Sequence, residues 1–97
     1  MIHVYKLNNQ LSDFEELEIK ENVPLFEFLD SNKILLFVDK HNQKLYIWQG
    51  KNTSPKMKFI TTQLAPKIRN QHYISYLITT VDEDEETFEF KVMLGLP

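Results

Sequence analysis

The sequence predicts a small α/β domain whose central sheet is covered on both faces. Three observations carry that reading. Two apolar segments, ILLFV (Ile34 to Val38) and KLYIW (Lys44 to Trp48), are joined by the polar turn residues DKHNQ, the pattern of an antiparallel hairpin. Neither arm alternates apolar with polar: Leu45 and Ile47 face one way and Tyr46 and Trp48 the other, so both faces want cover. After Gly50 a long segment begins with a helix-start signal, Ser54 followed by Pro55, and supplies one covering layer.

The other elements follow in chain order. Ile2 to Leu7, IHVYKL, is rich in strand-forming residues and is followed by the polar turn NNQLSD. In FEELEIK, Phe14, Leu17 and Ile19 mix helical and strand spacing; the segment is read as a strand, ended by Asn22-Val23-Pro24. At 100° per residue the long helix places Met57, Thr61, Leu64 and Ile68 on one stripe, flanked by Ile60 and Ala65, with Phe59 nearly opposite. Pro66 removes a backbone hydrogen bond and predicts a kink or break near Thr62 to Ala65. Tyr73 to Val81, YISYLITTV, reads as a further interior strand. The terminal TFEFKVMLGLP alternates like a strand and fits a short helix equally well.

Composition bounds the function. At 97 residues, 42% hydrophobic and 26% charged, the chain is long enough for one core and reads as a single soluble domain over residues 1–97. It has no cysteine, which excludes a disulfide framework, a thiolate zinc site and a cysteine nucleophile, and suits a reducing, cytoplasmic setting. The longest apolar run, Ile34 to Val38, is far short of a membrane span, and MIHVYKLNNQ lacks the pattern of an export signal. A net charge of -3 opposes sequence-independent nucleic-acid binding. His3, His41 and His72 are scattered without triad partners or metal-ligand spacing, so neither an enzyme site nor a metal or cofactor is expected. The function expected is binding to another macromolecule.

Three segments together resemble a gelsolin-type domain, the repeat unit of the gelsolin and villin actin regulators, related to the cofilin-like fold. They are LDSNKILLFVD (Leu29 to Asp39), LYIWQGK (Leu45 to Lys51) with its tryptophan, any residue, glycine signature, and VDEDEETFEF (Val81 to Phe90). The resemblance covers roughly Phe28 to Leu94. It implies a central mixed sheet of about five strands between one long helix and one short C-terminal helix, making TFEFKVML helical. It also implies an actin-binding protein acting on monomers or filaments, with actin or an actin-like protein as partner. The outer face of the long helix would enter the cleft between two lobes of actin, which nominates Phe59, Thr62 and Gln63, with Lys58 as a rim charge and Pro66 alongside. The alternative within the same resemblance is a protein-protein scaffold module that never touches actin. Positions that ligate calcium in some members correspond here to Lys33 and Met57, and neither is an oxygen donor, so an intradomain calcium site is not expected.

Other candidates have plainer readings. The acidic run Asp82, Glu83, Asp84, Glu85, Glu86 reads as a solvated loop, with calcium bridging to a partner as its functional alternative. Tyr46 and Trp48 read as core aromatics on a central strand. A lipid-sensing role lacks a clustered basic patch.

Overall fold

The computed structural model describes residues 2–95; Met1 and the end of the terminal segment, Leu96 and Pro97, lie outside them. Five strands form one sheet: β1 (Ile2–Asn8), β2 (Asp13–Leu17), β3 (Ile34–Asp39), β4 (Lys44–Gln49) and β5 (Leu77–Asp82), in the spatial order β2-β1-β3-β4-β5. The first three pairings are antiparallel and β4 with β5 is parallel, so the sheet is mixed. A parallel neighbour needs a crossover, and α1 (Pro55–His72) supplies it. The second helix, α2 (Phe88–Leu94), follows β5. A short 3-10 helix, Leu25–Phe28, lies between β2 and β3.

The two-sided burial expected of the hairpin is met: all six residues of β3 are buried, and Leu45 to Trp48 of β4 with them. Alternation of side chains splits the core in two. On one face Leu36, Val38, Leu45 and Ile47 pack with Ala65 of α1, and Met57, Ile60, Leu64 and Ile68 border them. On the other, Leu35, Phe37, Tyr46 and Trp48 pack with Phe90 and Leu94 of α2. The terminal segment is therefore helical, because Thr87 caps its start by accepting from the Phe90 amide and Gly95 ends it in the left-handed conformation.

Two expectations are corrected. Tyr73 to Val81 is not an interior strand. The strand begins only at Leu77 and lies at the edge of the sheet, with Val81 its one buried residue. Tyr73 instead closes α1, its amide donating to the Arg69 carbonyl at 2.8 Å, and Tyr76 donates back to the Tyr73 carbonyl in a turn. The tyrosine rings, 5.4 Å apart, pack on each other, and Tyr73 meets the Tyr5 hydroxyl at 3.2 Å. Of the kink or break expected near Pro66, it is the break that does not occur: α1 is continuous from Pro55 to His72. The carbonyl that Pro66 leaves without its helical donor is that of Thr62, an exposed residue on the outer side of the helix, where solvation can offset the lost bond.

Candidate functional site

The start of α1 is set by its cap. Ser54 Oγ accepts from the Met57 amide at 3.1 Å, and Pro55 occupies the first turn where no hydrogen bond is lost. Thr61 and Thr62 donate their hydroxyls to the Met57 and Lys58 carbonyls, both at 3.0 Å. The inward stripe is anchored by Thr61 and Ala65, both 1% exposed. Ala65 has no side chain beyond Cβ, which lets the helix approach the sheet closely.

Phe59 lies about 160° around the helix from Thr61 at 3.6 residues per turn, and it is 65% exposed. Residues one turn on, Thr62 and Gln63, share its face and are exposed; Pro66, two turns on, lies on the same line and Lys58 at its margin, both half-buried. The structure thus brings Phe59, Thr62, Gln63, Lys58 and Pro66 onto one continuous outward surface. That surface has one electrical sign: α1 carries Lys56, Lys58, Lys67 and Arg69 and no carboxylate. Arg69 and His72 in its last turn suit the negative end of the helix dipole, whereas Lys56 and Lys58 in the first turn oppose the positive end. Local helix stability does not account for those two lysines.

The loops beneath the N-terminus of α1 are held by the acidic run. Glu83 accepts from the Ser31 hydroxyl at 2.8 Å and from the Lys51 amide at 2.9 Å. The Lys51 amide, above all, holds the Glu83 carboxyl below its usual range, with the Ser31 hydroxyl assisting. Glu86 accepts from the Trp48 indole N–H at 2.9 Å. Two of the five acids are thus ties between loops and core, while Asp82, Asp84 and Glu85 are exposed, as a solvated loop would have them. Sequence reading missed both ties. The signal for one was present: a core tryptophan on β4 needs an acceptor for its N–H, and the acidic run holds the first carboxylates in the chain after it.

Gly50 completes this corner. A Cβ there would lie 2.3 Å from the Ser31 carbonyl oxygen, so only glycine lets the two loops approach, and the Gly50 amide donates to the Lys33 carbonyl at 3.0 Å. Lys33 pairs with Asp30 at 3.9 Å, and the Met57 side chain packs against the core beneath α1. Tyr46 and Trp48, 2% and 1% exposed, are core residues and not ligand-stacking aromatics. His3 binds Glu16 across the first hairpin at 2.9 Å, and among the described residues no cluster of three or more metal-ligating side chains forms.

No protein-family model matches the chain, and no curated protein sequence matches it. Solved structures do. A chain of the Thorarchaeota ProGel/rabbit actin complex matches with a TM-score of 0.81 at 23% identity, covering 98% of this chain and 100% of that one. A chain of the Thorarchaeota 2DGel3/rabbit actin complex matches with a TM-score of 0.69 at 19% identity, covering 99% of this chain and 45% of that one. At such identities the likeness establishes the fold, which is gelsolin-like: a five-stranded mixed sheet with one long and one short helix on opposite faces. None of the helices among the described residues is long and apolar enough to cross a membrane.

Proposed function

We infer that this chain is a single gelsolin-type domain that binds actin through the outer face of α1. The observation that carries the reading is Phe59, 65% exposed on the solvent side of the long helix, in a fold shared with two solved chains that were each crystallised with rabbit actin. A helix presenting an aromatic anchor with small polar neighbours suits insertion into an apolar cleft. Phe59 is the anchor, Thr62 and Gln63 flank it, Lys58 supplies a rim charge and Pro66 lies along the same side. Burying an exposed phenylalanine contributes about 2 kcal/mol, enough to make it a hot spot.

The domain works in the cytoplasm, without catalysis and without an intradomain calcium ion. The side chains of Lys33 and Met57 offer a calcium ion no oxygen. One such domain covers one actin subunit at the scale of a standard interface, which suits binding to monomers or to filament sides and ends.

Co-sedimentation and pyrene-actin polymerisation, each in calcium and in chelator, test this. The same effect in both conditions is expected, and Phe59→Ala should weaken it about tenfold or more without changing the thermal midpoint. An effect seen only with calcium would refute the ion-independent part. No effect in either condition would leave the scaffold reading, a protein-protein module built on the same fold.

A further inference from the structure

A second surface lies at the opposite side of the sheet from β5. Strand β2 is an edge strand: it pairs with β1 and, among the described residues, with nothing on its other side. Where it ends, a groove of about 710 Å³ opens, lined by Glu16, Leu17, Glu18, Ile19, Val23 and Leu25 among others. Its floor is fixed, because Ile2, Leu17 and Leu25 pack on the α2-side core. Its apolar wall is open, with Ile19 and Val23 39% and 38% exposed.

Charge decides what can occupy it. Between Asp13 and Glu21 the chain carries Asp13, Glu15, Glu16, Glu18 and Glu21 against one cation, Lys20. Glu16 is tied to His3 and Glu15 to Asn8, but Glu18 and Glu21 form no salt bridge among the described residues. A second copy pairing through the same edge would set these carboxylates against each other, the device by which edge strands resist self-association. Anionic lipid and nucleic acid are repelled by the same field. A basic polypeptide is not.

The period of the strand refines the match. Tyr5 pairs with Glu16 and Val4 with Leu17, so Glu16 lies on the α1 side of the sheet and Leu17 on the α2 side. Glu18 and Ile19, just past the end of β2 at Leu17, also line the groove. We propose that β2 and this groove take an extended peptide segment of a partner protein, alternating apolar with basic residues, as an added strand. Its backbone extends the sheet at the β2 edge. Its apolar side chains enter the groove beside Leu17, Ile19 and Val23, and its Lys or Arg side chains meet Glu16 and Glu18. The site is separate from the α1 face and does not depend on the actin reading.

The probe is a short fluorescein-labelled peptide of alternating valine and arginine, titrated with the whole chain and followed by fluorescence anisotropy. Binding should weaken as salt is raised, drop about tenfold or more in the Glu16→Lys, Glu18→Lys double variant, and be unaffected by Phe59→Ala. Because Glu16→Lys also removes the His3 pair, Glu18→Lys alone serves as the variant that leaves the hairpin intact, and circular dichroism confirms its fold. A peptide N-methylated at alternate residues should fail to bind, since it cannot extend the sheet. The proposal is overturned if the valine and arginine peptide does not bind, if a valine and glutamate peptide binds as well, or if charge reversal or N-methylation changes nothing. It is likewise overturned if sedimentation equilibrium shows the chain itself dimerising through this edge.

Discussion

Trp48 and Glu86 are joined by a single hydrogen bond, indole N–H to carboxylate at 2.9 Å, that pins the loop before α2 to the centre of the sheet. Trp48 is 1% exposed, so its N–H has no ready access to water once the carboxylate is gone. Glu86→Ala is expected to destabilise the domain by about 1–3 kcal/mol, the cost of an orphaned buried donor. Glu86→Gln, which keeps an acceptor, should lose less. Urea denaturation followed by the fluorescence of the chain's one tryptophan measures both, and equal midpoints for wild type and Glu86→Ala would refute the role.

Glu83 gives the domain an acid-sensitive tie. The Lys51 amide and Ser31 hydroxyl hold its carboxyl below the usual range in the folded state. A depressed folded-state value means that the tie contributes stability above the unfolded value of about 4.3 and loses it as pH falls through the folded value. Wild type should therefore lose urea midpoint more steeply than Glu83→Gln as pH is lowered from 5. Parallel curves would show that the tie contributes nothing.

Gly50 admits no side chain. The nearest obstacle to a Cβ is backbone, the Ser31 carbonyl, which cannot rotate away as a side chain can. Gly50→Ala should cost about 1–3 kcal/mol or more, read as a lowered melting temperature. An unchanged midpoint would mean that the 30–33 loop is free to retreat.

Pro66 interrupts the hydrogen bonding of a helix that nonetheless continues. Pro66→Ala restores a donor to the Thr62 carbonyl and raises helix propensity, so the domain should gain about 1–3 kcal/mol. Calorimetry tests this; a loss of stability would show that the half-buried proline ring contributes more by packing than it costs in backbone bonding.

Much of the fold was legible because its strongest signals are local. The two arms of the central hairpin are apolar on both faces, and that alone calls for two covering layers. Ser54-Pro55 starts α1, and the 3.6-residue period separates Phe59 from Thr61 and Ala65. What escaped was decided at a distance. Tyr73 and Tyr76 have strand propensity, but a helix cap, the packing of their rings on each other and a hydroxyl hydrogen bond from Tyr73 to Tyr5 hold them in a turn. The edge position of β5 follows from topology, which no window along the chain contains. Phe88 to Leu94 became a helix because Phe90 and Leu94, four residues apart, both reach the α2-side core. Within the acidic run, the partners of Glu83 lie in the loops after Asp30 and Gly50, and nothing in the run itself separates it from its exposed neighbours.

The order of strands also implies an order of assembly. β3 and β4 are joined by residues 40–43 alone, a closure that Asp39 supports by accepting from the Asn42 amide at 3.2 Å and its side-chain amide at 2.8 Å. β5, by contrast, reaches β4 only after residues 50–76 have formed α1 and crossed the sheet. Closing the longer loop costs more entropy before any pairing rewards it. During refolding, pulsed hydrogen exchange should find amides of the β3–β4 hairpin protected before those of β5; simultaneous protection would contradict this. Trp48 lies at the junction, in the hairpin but opposite Val81 of β5 and bonded to Glu86. Its emission therefore reports the last strand to arrive as well as the first two to meet.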